Sequence, residues 1–231
     1  MLGSGYVAAA EPPPSGGMPN DAAFIAGLSP AAWFRYGLGI TVVTGVSQWN
    51  DQSGNARHLL QATGTAQPAL QADNSILFDG TDDFLKCTGF TLNQPETVYV
   101  LFNPVTYVNV DYIHDGNTTD SLNCAFTAAS PQYAIFAGAF VLNNNLTIGS
   151  YNVIASVYNG TSSVAQVNNT APATGNAGAA NAGGFLLGAN ANPGNFGNIQ
   201  VKEAIVFAAA HDAPTRARVI SYLGQVGQIP V

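Results

Sequence analysis

Two segments constrain the fold of this chain more than any others: Val46-Ser47-Gln48-Trp49-Asn50-Asp51-Gln52-Ser53-Gly54-Asn55 and Leu77-Phe78-Asp79-Gly80-Thr81-Asp82-Asp83-Phe84-Leu85. Each sets an aromatic residue at the end of an apolar run and follows it with Asp, Asn, Ser or Thr and Gly. Such side chains bond neighbouring backbone groups, and glycine takes a positive φ without a Cβ clash, so both segments read as strand–turn units.

Period-2 alternation recurs downstream. Thr97 to Phe102 is rich in β-branched and aromatic residues and reads as a strong strand. Short strands are expected at 111–114, 122–127 and 133–136. Residues 139–142 and 146–148 flank Asn143-Asn144-Asn145, which predicts a hairpin because Asn tolerates the left-handed region. Tyr151 to Tyr158 alternates, and Asn159-Gly160 turns into 163–167. Residues 169–184 read as a long loop poor in side chains, and 185–188 with 199–207 close the sheets. Strands at this spacing indicate a sandwich or barrel.

Helices are expected in two places. Ser29 followed by Pro30 predicts an N-cap and first helical residue, hence a short helix near 29–36. Asp212 predicts the cap of a second helix over 213–226, with Val219, Ile220, Tyr222, Leu223 and Val226 as its apolar stripe. Residues 1–22 contain Glu11-Pro12-Pro13-Pro14-Ser15-Gly16-Gly17-Met18-Pro19 and read as an arm that cannot form a core. Its few apolar groups, Tyr6, Val7 and Met18, are those expected to order against a partner. Residues 23–231 are expected to form one domain, a usual size for an all-β unit.

Composition removes several function classes. A net charge of −7 with six basic residues excludes the basic stripe that nucleic acid requires. No apolar run reaches the length of a spanning helix, so no membrane partner is expected. Cys87 and Cys124 are too few for a disulfide framework and are expected as buried free thiols. The first ten residues hold an Ala cluster but no basic n-region, which argues against export by a cleaved signal.

The pair W-N-D-x-S-G-N and F-D-G-x-D-D-x-L resembles the bacterial and phage branch of the laminin-G-like/concanavalin A-like lectin superfamily, from about residue 24 onward. The resemblance implies an all-β jelly-roll sandwich of two antiparallel sheets with a short C-terminal helix. It says less about function, because that fold hosts lectins, hydrolases and structural modules.

Asp79, Asp82 and Asp83 place three carboxylates within five residues, with Asp51 in the companion turn. They are the candidate calcium ligands, since calcium takes several oxygens. Asp-Gly turns also form for backbone reasons alone, and the structural turn is the favoured reading, with no cofactor expected. Tyr107, Tyr112 and Tyr133 are the candidate sugar-stacking residues; Trp49 is expected in the core. Hydrolases of the resembled superfamily carry an E-x-D-x-x-E strand, which this chain lacks. Its glutamates, Glu11, Glu96 and Glu203, are scattered, and Glu203 is expected on one apolar strand face with Ile199, Val201, Ile205 and Phe207. A non-enzyme is therefore expected.

Three readings follow. The first is a phage virion protein (capsid decoration, head fibre or tail-associated), oligomeric, tethered to other virion proteins by its arm and adhering to glycans. The second is a secreted or surface bacterial carbohydrate-binding module. A polysaccharide-degrading enzyme comes third.

Overall fold

Long runs of β-branched and aromatic residues separated by Asn, Asp and Gly turns fold into stacked sheets. The computed structural model describes residues 21–108, 110–116, 124–127 and 132–231. The arm residues Tyr6, Val7 and Met18 and the side chain of Cys124 lie outside them. After helix α1 (Asp21–Gly27) come β1 (Ala32–Phe34), β2 (Ile40–Val42), β3 (Val46–Trp49), β4 (Leu59–Leu60), β5 (Ala69–Leu70) and β6 (Ile76–Asp79). The middle of the chain supplies β7 (Leu85–Leu92), β8 (Glu96–Pro104), β9 (Tyr112–Asp115), β10 (Cys124–Thr127), β11 (Tyr133–Phe136) and β12 (Phe140–Asn143). It closes with β13 (Asn152–Tyr158), β14 (Ser163–Val167), β15 (Ala173–Gly175), β16 (Ala182–Leu187), β17 (Asn198–Phe207) and helix α2 (Ala213–Gly227).

The strands form two antiparallel sheets. The first runs β15-β14-β13-β8-β17-β6-β5, with β1 also paired to β17; the second runs β12-β11-β10-β9-β16-β7-β4-β3-β2. Their facing sides bury the main core, which includes Phe34, Trp49, Phe78, Leu85, Phe102, Ile113, Tyr133, Ile154 and Phe185. A second core lies on the far side of the first sheet. There Trp33, Tyr99, Leu101, Val153, Ile205 and Phe207 meet Ile25 of α1 and Val219, Ile220, Tyr222 and Leu223 of α2. The molecule is thus a two-sheet sandwich with helices over one sheet. Strand β13 is buried at every residue because it is covered on both faces, whereas edge strand β12 alternates exposed and buried. Trp49 and Phe78 are fully buried, as expected from their motifs. Among the described residues no helix is long and apolar enough to cross a membrane.

Four local expectations are corrected. The helix foreseen near 29–36 lies earlier, at α1. Ser29 takes φ 55° directly after the helix and Pro30 follows, so Ser-Pro here stops a helix instead of starting one. Residues 32–34 are instead captured as a strand beside β17. The Asn143–Asn145 hairpin does not form: β12 pairs with β11, and Asn143 turns inward to donate to the carbonyl of Ala165 at 3.0 Å. The stretch 169–184 is not one loop, since β15 and the start of β16 lie within it. Finally, Glu203 does not share a face with Ile199 and Val201. A register shift between Val201 and Glu203 leaves the first two in the inter-sheet core and swings Glu203, Ile205 and Phe207 towards α2. Helix α2 forms as foreseen, with Asp212 accepting from the Thr215 N–H at 2.9 Å.

Candidate functional site

The W-N-D-x-S-G-N motif is a loop organised by one carboxylate. Asp51 is buried, and its Oδ1 accepts from the backbone N–H groups of Trp33 (2.8 Å) and Ser53 (2.8 Å). Its Oδ2 accepts from Ser53 Oγ (2.8 Å) and the Arg57 N–H (3.0 Å). Asn55 adds bonds from Nδ2 to the carbonyls of Pro30 and Ala31, both at 3.1 Å. Asp51 is therefore spent on holding β1, the loop and the approach to β4 together. It also fixes His58, because the Asp51 N–H donates to His58 Nδ1 at 3.1 Å.

The second motif gathers Asp79, Asp82 and Asp83 so that one carboxylate oxygen of each lies within 4.8 Å of the others. Asp79 Oδ1 closes an Asx turn on the Thr81 N–H at 2.7 Å, and Asp83 Oδ2 accepts from the Asp79 N–H at 3.0 Å. Gly80 is required in this turn: its φ is +76°, and a Cβ would sit 2.9 Å from that of Asn198. Burial, with the like charges of Asp79 and Asp82 adding, pushes the Asp83 carboxyl up to about 6. These three residues are the ones that would hold a calcium ion. Asp83→Asn keeps the acceptor for Asp79 and removes one repelling charge. It should raise unfolding free energy at pH 7.5 by about 1–2 kcal/mol. The native carboxyl takes its proton below about pH 6. Wild type should therefore catch up as pH falls from about 6 towards 4, which urea unfolding at both pH values reads.

Two of the three tyrosines singled out for sugar stacking are buried. Tyr133 is fully buried and its hydroxyl donates to the carbonyls of Gln166 (3.1 Å) and Ala155 (3.3 Å), so it is a tie between the sheets. Tyr112 is only 6% exposed and lies stacked on Phe126, ring centres 5.1 Å apart. Tyr107 is half-buried, with its hydroxyl bonded to the Gln132 carbonyl at 3.2 Å. Glu203 is buried as well, accepting from Trp33 Nε1 (2.7 Å), Tyr222 Oη (2.7 Å) and the Tyr36 N–H (3.2 Å). Burial raises its carboxyl against those three donors. It fastens α2 to β1 and β17.

A concave site appears elsewhere, on the outward side of the second sheet where Leu60 of β4 pairs with Lys86 of β7. Neighbours Leu59, Leu85 and Cys87 point into the core, so alternation turns Leu60 and Lys86 outward; Leu60 is 49% exposed. With Phe84, His58, Thr63 and Thr88 they line a shallow cleft of ≈ 470 Å³, within the range of small-ligand sites. Its wall is pinned: Gln61 donates to the Phe84 carbonyl (3.2 Å) and accepts from the Thr63 N–H (3.0 Å). Lys86 Nζ lies 5.6 Å from the Phe84 ring centre. None of the tyrosines or aspartates singled out from the sequence lines this cleft. Its residues come from two stretches about 25 positions apart, and only strand pairing joins them.

No family model and no curated protein matches the sequence. Solved structures do match. A Trypanosoma rangeli sialidase in complex with sialic acid superposes with a TM-score of 0.61 at 10% identity, over 88% of this chain and 34% of that one. An arabinofuranosidase complexed with arabinofuranosyl-α-1,2-xylobiose gives 0.58 at 12% identity, over 79% and 51%. A chain of botulinum neurotoxin type C, whose cell entry is dependent upon interaction with two ganglioside molecules, gives 0.60 at 10% identity, over 87% and 53%. This chain thus spans about a third to a half of the length of these neighbours. The likeness carries the fold, a two-sheet β-sandwich, and none of the three is described as a phage protein. It also corrects the expectation of a non-enzyme. The missing E-x-D-x-x-E strand speaks to one catalytic layout only, and the sandwich is shared with chains of two glycosidases.

Proposed function

We propose that this protein is a glycan-binding β-sandwich whose binding site is the cleft on β4 and β7. The observation that carries the reading is the pairing of an apolar floor, exposed Leu60 and half-buried Phe84, with a polar rim of His58, Thr63, Lys86 and Thr88. A sugar ring has one apolar C–H face and an edge of hydroxyls, and such a surface complements both. The fold supports the reading, because it recurs in proteins described with sialic acid, an arabinofuranosyl-xylobiose and gangliosides.

The setting we propose is adhesion from a larger particle, with the virion of a phage as the assembly and residues 1–22 as the tether in several copies. Placement of α1 supports this. Helix α1, which takes up Asp21 and Ala22 from the end of that stretch, packs over the first sheet, while the cleft lies on the outer side of the second. A tethered sandwich would present the cleft away from its anchor, and repeated copies would strengthen weak individual contacts. Mass spectrometry of purified particles tests that setting; finding the protein only in the soluble fraction would remove it.

Binding itself is tested with the full chain against a panel of oligosaccharides by calorimetry. Leu60→Ala removes an exposed side chain from the cleft floor. It should weaken binding about fivefold to tenfold, near 1 kcal/mol for the apolar area lost, with the melting temperature unchanged. Unaltered affinity in that variant would place the site elsewhere on the sandwich.

A further inference from the structure

We propose that the glycan held in this cleft is acidic, bearing a carboxylate that Lys86 and His58 receive. The proposal rests on the glycan-binding reading above and names its ligand class.

The first argument is the distribution of cations. Of the six basic residues, Lys202 pairs with Asp73 at 3.7 Å. Arg216 is buried and bonded to Gln166 Oε1 (3.0 Å) and the His211 carbonyl (2.9 Å). Arg35 lies over the Trp33 ring, where its charge bears on the buried carboxylate of Glu203. Arg218 lies 3.5 Å over the ring of Phe24. Arg57 donates from Nη1 to the Ala31 carbonyl at 3.1 Å and lies 4.3 Å over the ring of Phe90. Lys86 remains, and it makes no ion pair with a carboxylate among the described residues. Lys86 lines the cleft. Arg57 lies next to it in sequence, between the lining residues Ala56 and His58, and its charge and that of Asp51 act in opposite directions on the thiol of Cys87. In a chain of net charge −7, the charge that Lys86 brings to the lining of this concave surface has the opposite sign. Among the described residues no Asp or Glu lines it. Asp51 lies behind it, buried, with its carboxylate engaged by four donors.

The second argument is a count of donors and acceptors. His58 Nδ1 accepts from the Asp51 N–H, which leaves the ring proton on Nε2 and makes that nitrogen a donor. Lys86 offers three donors and no acceptor. The amide of Gln61, the rim's one carbonyl-bearing side chain, is committed at both ends. Among the lining side chains, only the hydroxyls of Thr63 and Thr88 can act either way. A neutral sugar hydroxyl both gives and takes, whereas a carboxylate only takes. The donor excess therefore selects a carboxylate-bearing sugar, and Leu60 with Phe84 receives its apolar face.

The test is calorimetry of the full chain with a uronate oligosaccharide, its neutral counterpart and a sulfated counterpart, at low and at moderate salt. The uronate ligand should bind about tenfold or more tighter than the neutral one, and added salt should erode the difference. Lys86→Gln should bring uronate and neutral-sugar affinities to within about twofold of each other, and Lys86→Arg should retain most of the uronate advantage. Thr88→Asp sets a negative charge on an exposed rim position and should abolish uronate binding with the melting temperature intact. Equal affinity for neutral and uronate ligands, unmoved by Lys86→Gln and Thr88→Asp, would overturn the acidic-sugar assignment and leave glycan binding standing. Tighter binding of the sulfated ligand than of the uronate would overturn the carboxylate assignment. Binding of no oligosaccharide at all would overturn both readings together.

Discussion

Trp49→Ala is expected to lower the unfolding free energy by about 3–5 kcal/mol. The indole is fully buried, tilted against Phe34 with ring centres 5.8 Å apart, in the main core between the sheets. Truncation leaves a cavity that rigid strands on both sides cannot fill. The loss is also polar: Nε1 donates to the carbonyls of Arg35 and Leu38, each at 3.1 Å, and so closes the connection from β1 to β2. Trp49→Phe separates the two terms, since it keeps most of the packing and leaves those carbonyls without their donor. An intermediate loss of about 1–2 kcal/mol is expected for it. Phe78→Ala should resemble Trp49→Ala, because Phe78 is fully buried and packed on Gly188, where a Cβ would lie 2.3 Å from the Phe78 ring. Chemical denaturation reads all three variants. A loss below about 1 kcal/mol for Trp49→Ala would mean that the indole is not a core anchor.

The legible part of the fold was the part written in local chemistry. Trp49 and Phe78 could be placed because an apolar run ending in an aromatic and then an Asp-Gly or Asx turn has few alternative conformations. Helix α2 was legible from Asp212, Pro214 and a clean apolar stripe. The unread parts depended on partners distant in sequence. Ser29-Pro30 serves equally as a helix start or stop, and β17, some 170 positions away, decides between them by recruiting Ala32 to Phe34 into its sheet. The face of Glu203 was misassigned because a one-residue shift in a ladder leaves no mark on an alternating sequence. The same reason explains the tyrosines: Tyr133 and Phe136 sit in one strand, and only pairing and sheet packing decide that the first points inward. The cleft was invisible for a related reason. Leu60 and Lys86 each look ordinary alone, and their pairing in the second sheet creates the site. One signal was available in the sequence: in a chain with six basic residues, Arg57, His58 and Lys86 flank the two turn motifs.

Acidification is expected to destabilise the protein mainly through His114. This side chain is fully buried on β9, set against Phe185 and Tyr158 with ring centres 5.8 and 6.3 Å away. Neither ring nitrogen makes a hydrogen bond among the described residues. Burial disfavours the imidazolium and lowers the group to about 3 from an ordinary value near 6.5. The sign follows from linkage. Above pH 6.5 both folded and unfolded chains hold the ring neutral, and the group adds no pH dependence. Between about 6.5 and 3 only the unfolded chain takes the proton, so stability falls by about 1.4 kcal/mol per pH unit, or about 2–3 kcal/mol by pH 4.5. His211, lowered to about 4 by burial, adds to the slope, whereas Asp83, raised to about 6, opposes it over part of the window. His114→Leu isolates the term. An apolar side chain of similar bulk leaves no unmatched polar atom, so stability at pH 7.5 should be unchanged or slightly higher, and the fall between pH 7.5 and 4.5 should shrink by about 2 kcal/mol. Urea unfolding at the two pH values measures both numbers. Equal slopes in wild type and variant would mean that His114 binds its proton equally well in both states, and the acid sensitivity would then belong to His211.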